Sequence, residues 1–230
     1  MTTKAEWQAP AGGRNLGTPW RLYRVGYALA RPLLGLFGRL EVVGRENIPE
    51  EGALLVANHV GWADPMWLMA ASWPRPLLQM AKHELFTHIG LGEFITAMGA
   101  FPVDRASPGT SAIKIPLSII GQGGMVGIFP GGRRAVTIEG AKRGAATIAA
   151  MSGCPVVVAH YEGPPSLKIG QLFRRPHVKV TFYRLSPDHN DGPPRSSRKD
   201  TVQRISHMIE AALRGIDSTS STPQNTRGVS

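Results

Sequence analysis

The residue types best suited to chemistry in this 230-residue chain lie together in Asn58-His59-Val60-Gly61-Trp62-Ala63-Asp64-Pro65. An imidazole held by a carboxylate through one ring nitrogen keeps the other nitrogen free to take a proton. The carboxylate fixes the tautomer and stabilises the imidazolium that forms. On one helix, His59 and Asp64 would point roughly 140° apart, given ~3.6 residues per turn. They meet only if a turn intervenes, and Gly61 offers the backbone freedom for one. Each residue also has a purely structural role open to it. Asp64 before Pro65 has the residue types of a helix N-cap followed by the first helical position, and His59 suits a polar position satisfied at a strand end. No Gly-x-Ser-x-Gly elbow occurs anywhere in the chain. The nucleophile is therefore expected to be a substrate hydroxyl, and the reaction a group transfer.

Two further segments place arginines after short apolar runs: Gly99-Ala100-Phe101-Pro102-Val103-Asp104-Arg105 and Ile128-Phe129-Pro130-Gly131-Gly132-Arg133-Arg134. In the second, glycine backbone N–H groups beside two guanidinium groups make a cradle for a phosphate. Taken singly, Arg105 reads as a surface partner of a carboxylate, and Arg133 and Arg134 as a solvated turn. Beside a candidate base they favour an anion site.

The elements that must position these residues alternate along the chain. Strands are predicted at Leu40 to Val43, Ala53 to Ala57, Leu77 to Ala81, Ala100 to Val103, Met125 to Phe129, Val156 to His160 and Val178 to Tyr183. Helices are predicted at Met66 to Ser72, Glu84 to Ala97, Ser111 to Gly121 with a break at Pro116, Gly140 to Met151, and Thr201 to Arg214. The expected fold class is α/β: a mixed, mostly parallel sheet covered by helices on both faces, preceded by a short N-terminal amphipathic helical pair. The boundaries expected are a flexible leader at 1–18, a membrane-docking helical segment at 19–40, the α/β domain at 41–215, and a disordered Ser/Thr-rich tail at 216–230.

Composition bounds the partners. Lys and Arg number 26 against 16 Asp and Glu, a formal charge of +10. Such an excess favours an anionic partner: nucleic acid, an anionic membrane or a phosphorylated substrate. Cys154 is the sole cysteine, which excludes an intramolecular disulfide and a cysteine zinc cluster and suits a reducing compartment. His83, His88, His160, His177, His189 and His207 show no ligand spacing, so no metal site is expected. Met1 to Thr18 lacks the pattern of a secretory signal. No stretch reaches the ~18 uninterrupted apolar residues of a spanning helix. Trp20 to Leu40 carries Arg21, Arg24, Arg31 and Arg39, no acidic residue, and many large apolar side chains. That mixture suits two short helices hinged at Pro32 and lying in a membrane interface; helices packed on the core with a basic edge would give the same pattern.

Taken together, these segments resemble the glycerolipid acyltransferases, in particular the bacterial 1-acylglycerol-3-phosphate O-acyltransferases. The likeness covers roughly Tyr23 to Tyr183, with the motifs in the family's order. His59 and Asp64 match the His-x4-Asp motif. Gly99, Phe101, Pro102, Asp104 and Arg105 match the second, and Phe129, Pro130, Gly132 and Arg134 the third. Lys142-Arg143-Gly144 fits the Lys-x-Gly that follows, and Cys154-Pro155-Val156-Val157 the fourth. The resemblance implies that His59 deprotonates an acceptor hydroxyl that attacks an acyl thioester, with Asp64 orienting His59. It implies that Arg105 and Arg134 bind the acceptor phosphate. Gly99, Gly132, Arg133 and Lys142 complete the substrate-binding set.

Acyl-CoA or acyl carrier protein is the expected donor substrate, with no separate cofactor, and a lysophospholipid the acceptor. An anionic membrane surface is the expected partner, with the protein peripheral on the cytoplasmic face, and nucleic acid is not. The chain departs from the third motif at Gly131, Arg133 and Ala135, where the family has glutamate, threonine and serine, and from the fourth at Val158, where it has proline. The first two changes add two units of positive charge. The competing expectations are the same chemistry on another anionic lipid, glycolipid or specialised metabolite, and a non-catalytic basic module binding anionic membranes or nucleic acid.

Overall fold

Runs that are apolar at every position, such as Ala53–Ala57 and Met125–Ile128, bury both faces of a strand and so belong in the middle of a covered sheet. The computed structural model describes the backbone at 27–28, 31–88, 90–97, 99–103, 111–130, 135–185 and 197–220. It places those two runs side by side at the centre. The strands are β1 (Arg39–Val43), β2 (Ala53–Ala57), β3 (Leu77–Lys82), β4 (Ala100–Val103), β5 (Met125–Ile128), β6 (Val156–Glu162) and β7 (His177–Leu185). They form one sheet in the order β1-β7-β6-β2-β5-β3-β4. Among the described residues only β6 and β7 pair antiparallel; the other five pairings are parallel. β1 alternates exposed and half-buried residues, as suits an edge.

The helices are α1 (residues 31–37), α2 (Asp64–Ser72), α3 (Leu91–Ala97), α4 (Ser111–Gly121), α5 (Ala135–Ser152), α6 (Gln171–Arg174) and α7 (Arg198–Ser220). From β2 the chain moves through α2 to β3 and through α3 to β4; it then returns through α4 to β5 and through α5 to β6. Right-handed crossovers in opposite directions put α2 and α3 on one face and α4 and α5 on the other. α2 accordingly packs on β1, β3, β6 and β7, while α5 packs on α4, α7 and β2. The sheet is mixed, mostly parallel and covered on both faces, as the alternation of elements predicts.

Several boundaries differ from expectation for identifiable reasons. The helix expected over Glu84 to Ala97 is divided into a 3-10 turn at His83–Thr87 and α3, because Gly90 takes a left-handed φ of 81° between them. α4 runs unbroken through Pro116. The lost backbone bond is outweighed by burial of Ile119 and Ile120. α5 starts at Ala135 rather than Gly140. α7 begins three residues early, at Arg198. Before it, the Asp200 carboxylate accepts the Ser197 N–H at 3.0 Å and the Ser197 hydroxyl accepts the Lys199 N–H at 3.2 Å. This Ser-x-x-Asp start is readable in the sequence. α7 then continues to Ser220, into the stretch expected to be tail.

The N-terminal helical pair lies largely outside the described residues. Within them, Arg39 and Leu40 belong to β1 and not to a helix. Residues 31–37 are helical through Pro32. Tyr27 stacks on Trp73 with ring centroids 5.0 Å apart, and Leu34 is buried, while Leu33 and Leu36 of the same helix face outward. One side of α1 therefore belongs to the core and the other does not. Among the described residues, no helix is long and apolar enough to cross a membrane.

Candidate active site

Adjacent strands β2 and β5 run parallel, but the chain leaves β2 for one face of the sheet and β5 for the other. Such a switch point opens a crevice beyond the carboxyl ends of the two strands. His59 stands two residues past β2 and Phe129 one residue past β5, and their rings meet at 5.1 Å between centroids, tilted by 42°. The imidazole is thus held at the crevice by both strands.

Asp64 reaches it from the start of α2. Its Oδ2 lies 3.0 Å from His59 Nδ1 and also accepts the backbone N–H of Gly61 at 2.8 Å and of Val60 at 2.5 Å. The carboxylate is wholly buried, whereas the His59 side chain is 29% exposed. An oxygen that takes two backbone N–H groups is acting as an acceptor, so it takes the imidazole N–H as well. That assigns the proton to Nδ1 and leaves the Nε2 lone pair free. Asp64 is itself the first helical residue, with Ala63 as N-cap and no side-chain cap bond. The N-cap role open to it in the sequence is therefore not its role here: the side chain turns back into the loop and folds it around the imidazole.

The loop is fixed from two other sides. Asn58 bridges to β6 in both directions, donating to the Tyr161 carbonyl at 3.0 Å and accepting the Tyr161 N–H at 2.8 Å. The Tyr161 hydroxyl donates to the Pro164 carbonyl at 2.7 Å; burial first, and the nearby Asp64 charge second, push that phenol well above its ordinary range and keep it neutral. Gly61 lies against the Pro165 backbone so closely that a Cβ would collide with the carbonyl there. Its φ is not among the positive ones. Gly61 is needed for space, and not for the conformational freedom expected of it. Below the loop, buried Gln79 of β3 donates to the Pro65 carbonyl at 2.9 Å.

The other expected site residues fall differently. Gly99, at φ 82°, makes the turn into β4 and accepts the Gln79 N–H at 3.1 Å. It stands at the amino end of β4, whereas the crevice that holds His59 lies beyond the carboxyl ends, so Gly99 starts a strand and does not line that crevice. Lys142, on α5, is committed to Glu210 of α7 at 3.2 Å. Its hydrogen bond, then its charge and that of Arg214, hold the Glu210 carboxyl below its ordinary range. Lys142 therefore ties two helices together. Arg105, Gly132, Arg133 and Arg134 lie outside the described residues; β4 and β5, which precede them, both end on the edge that carries His59. Asn58, Phe129 and Tyr161 complete the site's geometry. The polar pair Asn58 and Tyr161 was recognisable as two strand-end residues, but their partnership depends on β2 and β6 being neighbours.

Three comparisons agree with this architecture. The fold matches the crystal structure of the 1-acyl-sn-glycerophosphate (LPA) acyltransferase PlsC from Thermotoga maritima, with a TM-score of 0.58 and 21% identity over 89% of this chain and 80% of that one. The 1-acyl-sn-glycerol-3-phosphate acyltransferase of Bacillus subtilis (strain 168) is 39% identical over 160 residues, 69% of this chain and 79% of the relative. The protein of the same name from Streptococcus pneumoniae is 36% identical over 167 residues, which span 69% of this chain and 62% of that relative. The model of the Acyltransferase family matches residues 39–162, from the first residue of β1 to the last of β6. By that match, and by the identity to its bacterial relatives, this chain belongs to the acyltransferase family.

Proposed function

We propose that the protein moves a fatty acyl group from acyl-CoA or acyl carrier protein to the free hydroxyl of 1-acylglycerol-3-phosphate, giving phosphatidic acid for phospholipid synthesis. The observation that carries this reading is the His59–Asp64 bond at the β2/β5 crevice in a chain 39% identical to a protein named for that reaction. His59 Nε2 takes the proton of the acceptor hydroxyl as its oxygen attacks the thioester carbonyl. The tetrahedral intermediate collapses, the C–S bond breaks, and the imidazolium returns the proton to the departing thiolate. Asp64 keeps Nδ1 protonated and the ring aimed throughout. Arg105 and Arg134 are assigned to the acceptor phosphate, in line with the family motifs and with the ends of β4 and β5, and Arg133, a departure from the motif beside Arg134, is assigned with them. The acyl donor is a substrate, so no cofactor is required. The reaction is placed at an anionic membrane surface, on the cytoplasmic face, because the acceptor is a lipid and the N-terminal segment is basic and apolar.

A second reading keeps the chemistry and changes the acceptor. Gly131 and Arg133, in place of glutamate and threonine, make the third motif more cationic and favour a more anionic headgroup. Mass spectrometry of products from the purified protein, given a panel of lyso-acceptors, a native lipid extract and mixed acyl donors, separates the two. Phosphatidic acid as the main product, lost in His59→Ala, supports the first reading. A different acylated lipid supports the second, and turnover retained in His59→Ala overturns the mechanism.

A further inference from the structure

The connection between β6 and β7, residues 163–176, is unusual for its outward-facing apolar side chains. Phe173 is 89% exposed and Ile169 is 77% exposed. Neither results from a loose loop. Gln171 ties the segment to itself, accepting the Lys168 N–H at 3.1 Å and donating to the Ser166 carbonyl at 2.8 Å. Arg175 ends α6 at a left-handed φ of 39° and donates to the Gly35 carbonyl of α1 at 2.8 Å. Built this way, the connection holds two large apolar groups in water, which an isolated soluble surface has no reason to do.

Topology supplies the context. β7 runs antiparallel to β6, so the connection lies beyond the carboxyl end of β6, on the same edge of the sheet as His59. β1 pairs parallel to β7, with Arg39 opposite His177. α1, which leads into β1, therefore ends on that edge too. There Leu33 and Leu36 face outward. On the other side the connection meets the catalytic loop, where the Ala63 N–H reaches the Pro165 carbonyl at 3.3 Å, and where Trp62 is exposed. Charge matches an anionic partner: Lys168, Arg174 and Arg175 flank the apolar residues, and no acidic residue occurs from Gly163 to Pro187.

We propose that Ile169 and Phe173 are a second membrane anchor, inserted in the interface of an anionic bilayer while the flanking cations meet headgroups. This rests on the reading of a lipid-modifying enzyme given above and names a part of it. The anchor seats the carboxyl edge of the sheet on the bilayer, so that His59 faces the lipid from which its acceptor comes.

The test uses the full chain with Cys154→Ser and Phe173→Cys, carrying an environment-sensitive fluorophore at position 173. It is mixed with vesicles of phosphatidylglycerol and phosphatidylcholine, with and without nitroxide-labelled lipid. A blue-shifted emission quenched by the nitroxide lipid is expected, while a label at Met151→Cys, on the opposite edge, stays in water. The double variant Ile169→Asp, Phe173→Asp should weaken vesicle binding on the order of tenfold or more and leave turnover of a short-chain, monomeric acceptor unchanged. A label at 173 that remains in water on vesicle-bound protein overturns the proposal. So does a shift that needs acyl carrier protein or self-association instead of lipid. Insertion without acylation of any lysophosphatidate leaves the anchor standing and removes the proposed reaction; acylation with position 173 in water does the reverse.

Discussion

Two of the ion pairs among the described residues, His59–Asp64 and Lys142–Glu210, involve residues that the family motifs single out. His59–Asp64 closes at 3.0 Å around a fully buried carboxylate, whose Oδ2 collects three N–H donors. Lys142–Glu210 closes at 3.2 Å between two helices with both side chains partly in water. The first organises a loop as well as an imidazole, because Val60 and Gly61 depend on the same oxygen. The second fastens surfaces that already pack, and water competes for it. Similar separations thus conceal different settings. Glu210 Oε1 is shared by Lys142 and the exposed Arg214 at the surface. The Asp64 oxygen is fully buried and takes two backbone N–H groups besides the imidazole, which suits the chemistry proposed for it.

His59→Ala should break the comparison most severely on the catalytic side. Loss of the proposed base is expected to cost about 10²–10⁴-fold in turnover, read as acyl transfer at saturating substrate, with the circular dichroism spectrum unchanged. Asp64→Ala should lower both activity and stability. It strands loop donors in a buried setting at a cost of about 1–3 kcal/mol, measurable by urea unfolding. An unaltered unfolding midpoint would mean that the loop does not depend on Oδ2. Gly61→Ala sharpens the same point with no change of charge. The new methyl must displace Pro165, at about 1–3 kcal/mol, and turnover should fall because the loop carries His59. If the Pro165 backbone did not press on this position, alanine, which is comfortable at negative φ, would be tolerated.

The smallest effect belongs to Lys142→Met. Because Lys142 depresses the Glu210 carboxyl, the pair's contribution is present above the ordinary carboxylate range and fades as pH falls through the lowered value. Wild-type and variant thermal melts should therefore differ slightly at neutral pH and converge in acid or at high salt, while turnover stays near that of the wild type. A large loss of turnover would instead return Lys142 to the substrate site.

Much of the architecture was legible because it rests on short-range patterns. All five residues of Ala53–Ala57 are buried, and a run with no polar position admits no other placement. The starts of α3 and α7 do not follow from hydrophobic periodicity: one depends on how the chain turns at Gly90, and the other is marked only by the Ser197–Asp200 cap lying among charged residues. At the site, the sequence carried the residue types and the need for a turn between His59 and Asp64. It did not carry the direction of the Asp64 side chain, because an N-cap and a loop organiser have the same composition. Gly99 shows the converse: a motif position whose backbone, at φ 82°, serves the start of a strand.

By itself, the sequence determined the α/β alternation, the acid-free basic character of Trp20 to Leu40 and the presence of a histidine with a carboxylate five residues on. Those properties follow from side-chain chemistry and local periodicity. Only the tertiary structure decided that β2 and β5 lie side by side with their connections leaving to opposite faces, which brings Phe129 to His59. It also decided that Asn58 and Tyr161 bond across 103 positions of chain, and that Lys142 turns to a helix and not to a crevice. Each is a contact between elements distant in sequence, set by which faces can be buried together.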